Sequence, residues 1–187
     1  KWLSDAEGLL VDGDQVSVSF ERDHRISTGA LDPETFAYTF DNEPLPVPAR
    51  EIRSNRGFET LAKSPAGSPI DGARVAVTEK SLDPNGNIFA GVMDGPGRGT
   101  FFIARDGEYD ITDGDFLPHG DLLLLERRYN MAVGVAMRIR QIAGTDIKKG
   151  ATVSGTVLME ADMAYQIDNM EGLDVWTRAD GAAMVSI

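Results

Sequence analysis

A chain of 187 residues, 42% of them hydrophobic, is long enough to bury one core or slightly more and too apolar to be disordered. Thirty Asp and Glu against 18 Lys and Arg leave a formal charge of -12, which excludes a nucleic-acid surface and favours cations or cationic partners. The lack of cysteine excludes disulfides and thiolate metal sites, no apolar run reaches the ~18 residues of a spanning helix, and Lys1-Trp2-Leu3-Ser4 lacks the apolar core of a signal peptide.

Taken in chain order, the apolar residues alternate or cluster in short stretches bounded by Gly, Asp, Asn and Pro, the pattern of strands and hairpins. Leu9-Leu10-Val11, a turn at Asp12-Gly13-Asp14 and Val16 to Phe20 predict a first hairpin, followed by a strand at Phe36 to Phe40. The proline-rich Pro44 to Pro48 and the stretch Ser64 to Gly72 read as connections, and Gly95 to Gly99 as an inter-strand loop. A strand is expected at Thr100 to Ala104. Asp115 to Leu125 then forms a hairpin in which Gly120 supplies the positive φ of the turn. Strands at Val133 to Ile142 and Ala151 to Met159 follow, with Leu158 to Tyr165 open to a short helix as well. A last hairpin pairs Leu173 to Trp176 with Ala183 to Ile187 across Ala179-Asp180-Gly181.

Superimposed on these elements is a recurring phrase in which an acid leads into an apolar run. It recurs at Glu7, Glu59, Asp113 and Glu171, spaced by 52, 54 and 58 residues. About four strands per unit of that length predict an all-β chain of the β-propeller type, in approximate units 5–54, 55–110, 111–167 and 168–187. Three units and one hairpin fall short of the roughly four to eight blades that close a ring, so further blades are expected outside this stretch.

Several phrases carry a family resemblance: Asp5-Ala6-Glu7-Gly8-Leu9, Asn55-Arg56-Gly57-Phe58-Glu59-Thr60-Leu61, the run Leu122 to Arg128, and Asp168-Asn169-Met170-Glu171-Gly172-Leu173. Together they make the chain similar to the phytase-like family, also described as the esterase-like activity of phytase. The resemblance implies a β-propeller, mostly bacterial and often exported to the periplasm or medium, with calcium and ester hydrolysis as the expected chemistry.

Because the first strand of each blade lines a propeller's channel, Glu7, Glu59, Asp113 and Glu171 are expected to converge there, with Asp168 beside the last. Converging carboxylates need a cation. Calcium accepts six to eight oxygen ligands, whereas zinc favours cysteine, of which there is none, or histidine, here only His24 and His119. A second set, Glu21-Arg22, Glu79-Lys80 and Glu126-Arg127, pairs acids with bases at the ends of second strands and is the candidate catalytic set for an anionic ester. No Gly-x-Ser-x-Gly elbow offers a serine nucleophile. The expected function is calcium-dependent hydrolysis of a phosphate or related ester. Against it stand a non-catalytic calcium-stabilised propeller that binds protein or carbohydrate, and a lactonase-type propeller. Acid-glycine pairs also shape turns, and Glu-Arg pairs also serve as salt bridges between blades.

Overall fold

The computed structural model describes residues 5–32, 34, 35 and 38–187. The chain is all-β. In the first sheet β1 (Ala6–Asp12), β2 (Gln15–Phe20), β3 (Arg25–Leu31) and β4 (Tyr38–Glu43) follow one another as an antiparallel meander. Phe36 and Ala37, expected in that fourth strand, lie outside the described residues. The second sheet runs β5 (Phe58–Lys63), β6 (Arg74–Leu82), β7 (Ile88–Val92) and β8 (Gly99–Ile103). The third is built from β9 (Asp110–Phe116), β10 (Leu122–Asn130) and β11 (Gly134–Ile142), with β13 (Thr156–Asp162) at its outer edge. The fourth is the hairpin β14 (Asp174–Thr177) and β15 (Ala183–Ser186).

The turns obey local chemistry. Gly13, Gly120 and Gly181 take positive φ values of 64°, 97° and 86° at the hairpins where the sequence placed them. Two expectations change. Leu158 to Tyr165 is not helical, because β13 completes the third sheet by pairing with β11, Arg138 facing Glu160. Ala151 to Met159 is not one strand either: Thr152–Val153 forms β12, which pairs in parallel with Phe102–Ile103 of the second sheet. Gly155 allows the bend between β12 and β13, since a Cβ there would lie 2.5 Å from the Gln141 carbonyl oxygen. The chain leaving the third blade thereby ties it to the second.

Both faces of the central sheets are buried, so consecutive apolar residues serve different interfaces. Ile26, Phe58, Ala76 and Phe89 fill the space between the first and second sheets. Val75, Val77, Leu122 and Leu124 lie between the second and third, and Leu123, Leu125, Met137 and Leu173 between the third and the last hairpin. The four-leucine run of β10 thus divides two and two. Face-to-face stacking of meanders brings the innermost strands β1, β5, β9 and β14 around an open channel of about 630 Å³, lined by Leu9, Val11, Leu61, Asp113, Asp115 and Val175. This is the blade arrangement expected of a propeller.

Arg74 adds a polar staple between the first two blades. Its guanidinium spans Glu43 of β4 (Nη1 to Oε1 and Nη2 to Oε2, both 2.8 Å) and Asp94 (Nε to Oδ2, 2.8 Å). These bidentate bonds hold both carboxylates below their ordinary pKa. Arg74→Met should lower the unfolding free energy by about 2 kcal/mol, less than full burial of the pair would give, because two acids lose their partner. Urea unfolding measures this. An unchanged midpoint would mean that apolar packing alone holds the two blades.

Candidate functional site: a carboxylate cluster between two blades

In each of the first three blades the innermost hairpin carries one extra residue. The register shifts between Ala6 and Leu9, between Phe58 and Thr60, and between Leu125 and Glu126 opposite Ile111 and Asp113. Such a β-bulge re-aims the side chain it carries. Counting from it, Glu7, Glu59 and Thr112 hold equivalent places on β1, β5 and β9, and Glu21, Glu79 and Arg127 hold equivalent places beyond or within the second strands. The main-chain bonds agree: Glu21 N–H donates to Asp5 O and Glu79 N–H to Gly57 O, both at 2.8 Å.

Part of each expected set therefore meets the other, Glu7 and Glu59 of the first with Glu21 and Glu79 of the second. One carboxylate oxygen each from Asp5, Glu7 and Glu21 lie within 4.8 Å of one another, as do oxygens of Glu21, Glu59 and Glu79. Glu21 links the trios and the blades, its Oε1 accepting the Gly57 N–H at 3.1 Å. Two glycines permit this approach. A Cβ on Gly57 would lie 2.9 Å from Glu21 Cγ, and one on Gly8 would lie 2.7 Å from the Glu59 carbonyl oxygen.

Charge is concentrated here without matching compensation. Burial, then the charges of Glu7, Glu79, Glu21 and Glu171, push Glu59 from its ordinary 4.5 up to about 8. Glu7 is raised by burial and by Glu21, Asp5, Glu171 and Glu79. Glu79 is also raised by burial, although Arg56 opposes this through a 2.8 Å bond from Nη1 to Oε2. Arg22 turns aside at φ 64° to bond Asp5 at 3.0 Å and Asn55 at 3.3 Å. Lys80 bonds Asp110 at 2.8 Å.

The third blade departs from the first two. Thr112, not Asp113, takes the bulge position, and its hydroxyl donates to Met170 O at 3.0 Å. Asp113 instead accepts the Leu173 N–H at 2.7 Å, and Asp115 accepts that of Val175 at 2.9 Å, so these acids dock the last hairpin. Burial raises Asp113 from 3.8 to about 6 despite those bonds. Glu126 is 1% exposed, its two oxygens taken by Arg138 and Arg140, which places it in the packing of the third blade. Arg127 stands where the other blades have a glutamate and approaches Glu171 at 3.9 Å. Glu171 is exposed and adds to the field at Glu7 and Glu59, while Asp168 is exposed in the same loop, three residues earlier.

Beside the cluster, between the second and third blades, opens a cleft of about 660 Å³. Lys80, Arg105 and Arg127 line it together with Glu108 and Asp110. Oxygen donors from two blades thus lie near a wall that carries cations. The family described as esterase-like activity of phytase matches residues 1–187, the whole chain. The chain belongs to the phytase-like family. No curated protein and no solved structure gives a match. In this phytase-like chain, sequence reading missed Asp5, Arg56, Arg105 and Asp110 as neighbours of the site. Only the register shows that Asp5, Gly57 and Asp110 are equivalent.

Two predictions follow from the charges. Glu59, Glu7 and Glu79 bind protons in the folded state at pH values where the unfolded chain has released them, so their contribution to stability falls as pH rises. For Glu59 that window runs from 4.5 to about 8. Without divalent cations the melting temperature should drop across it, and Glu59→Gln should remove most of the drop. Glu126→Gln should cost about 3 kcal/mol in chemical denaturation, because it leaves buried guanidinium charge unpaired. An unaltered stability would contradict its packing role.

Proposed function

We propose that this domain is a calcium-dependent hydrolase of a phosphate or related anionic ester, working where the carboxylate cluster meets the basic cleft. The observation that carries the reading is the pairing of an oxygen-only cluster (Asp5, Glu7, Glu21, Glu59, Glu79) with Lys80, Arg105 and Arg127 on the adjoining wall. The donors suit a hard cation: every one is a carboxylate, and the glutamates are held close enough to raise one another's pKa. Asp5, Glu7, Glu21, Glu59 and Glu79 would hold calcium, with Glu171 facing them from the next loop. Bound there, calcium would supply Lewis acidity and an activated water.

The chain's own groups do the rest. Arg127 and Lys80 orient the anionic ester and offset charge that grows on its oxygens; Asp110 fixes Lys80 at 2.8 Å, while Arg127, 3.9 Å from Glu171, is the more loosely held of the two. Glu21, whose one oxygen is tied to the Gly57 backbone, keeps the two blades at fixed separation. An exported location is part of the proposal, since open carboxylate sites of this kind suit the roughly 10⁻⁴–10⁻³ M calcium affinity of extracellular modules.

The same bond from Gly57 to Glu21 also supports a second reading, in which calcium only fastens two blades of a protein- or carbohydrate-binding propeller. Calcium titration with assays on simple phosphate and carboxylate esters separates the two. Hydrolysis that requires calcium and drops at least about a hundredfold in Glu59→Gln and Arg127→Ala is expected, in the range of losing a charge-stabilising group. Calcium that raises only the melting temperature, with no turnover of either ester class, would leave the binding propeller.

A further inference from the structure

The basic cleft also has an apolar part. Lys80, Arg105 and Arg127 gather with Glu108 and Asp110, three cations against two carboxylates, a local balance of +1 in a chain of net charge -12. Asp110 is already bonded to both Lys80 (2.8 Å) and Arg105 (3.0 Å). Arg127, 3.9 Å from exposed Glu171, is the cation held most loosely. That balance can accommodate one anionic group. A molecule with many phosphates would bring its remaining charges against Glu108, Glu171 and the glutamates of the cluster, where like charges repel.

Beside Arg127, the end of β10 and the turn that follows it bring Tyr129, Met131 and Ala132 to the same cleft. Tyr129 is 68% exposed and Met131 92% exposed. Neither has a core to fill, and both would gain by covering an apolar substituent. Methionine and tyrosine suit this role, one polarizable and adaptable, the other presenting a flat ring.

We propose that the cleft takes a substrate with a single anionic ester group and an aryl or alkyl substituent, the anion on Arg127 and the substituent against Tyr129 and Met131. This rests on the hydrolase reading for turnover but not for binding. It sets the substrate class apart from polyphosphorylated compounds.

Binding is tested with compounds that cannot be hydrolysed, by NMR titration of the intact chain in buffer without divalent cations. Phenylphosphonate should bind about fivefold tighter than methylphosphonate, the gain from covering a few tens of Å² of ring. Inositol hexakisphosphate should bind more weakly than phenylphosphonate. Met131→Ala, at a side chain the fold does not use, should erase the phenyl preference and leave methylphosphonate unaffected. Arg127→Gln should weaken both phosphonates about tenfold, in the range of a charge-assisted bond. Equal affinity for the two phosphonates, tighter binding of the hexakisphosphate, or no phosphonate binding would overturn the proposal. Phosphonate binding in the expected order, with no turnover of phenyl phosphate in calcium, would uphold the cleft assignment and reject the hydrolase reading.

Discussion

One extra residue in the innermost hairpin of each of the first three blades governs the site. A strand alternates its side chains strictly, so inserting a residue sends everything beyond it to the other face. At Glu7 and Glu59 the bulge brings both side chains into reach of Glu21 and Glu79, and four glutamates from two blades converge. In the third blade the same bulge falls on Thr112, so Asp113 turns to the last hairpin and binds its backbone. A motif that looks equivalent in sequence thus does different work. One acid belongs to the cluster and the other to docking.

The protein treats its clustered carboxylates in two ways. Glu43 and Asp94 share Arg74, and Glu126 is shared by Arg138 and Arg140, so those charges are neutralised within the fold. Glu7 and Glu59 have no such pairing among the ion pairs of the described residues, and burial and mutual repulsion raise both. Leaving charge uncompensated where guanidinium groups are used freely elsewhere sets the cluster apart from the staples that hold the blades. Two arginines each bond one acid at the cluster's rim, Arg22 on Asp5 and Arg56 on Glu79, while Lys80 and Arg127 pair with Asp110 and Glu171 on the side of the third blade.

The fold was largely legible because strand physics is local. Alternation, turn glycines and blade-length spacing predicted the meanders, and the channel between β1, β5, β9 and β14 follows from stacking them. Leu158 to Tyr165 misled because its spacing permits helix or strand, and the free edge of β11 decided for strand. The Ala151 to Met159 run misled because a bend at Gly155 gives its two halves to different sheets.

By itself, the sequence determined an all-β chain, its family, the recurrence of acids at the start of each blade and the exclusion of cysteine chemistry. Tertiary structure alone decided which acids meet. It joined Glu21 and Glu79 to Glu7 and Glu59, withdrew Asp113 and Glu126 into docking and packing, and set Arg127 where its sister blades carry glutamate. The physical reason is that a bulge changes register without changing composition, so a residue's facing depends on pairing partners that spacing along the chain does not reveal.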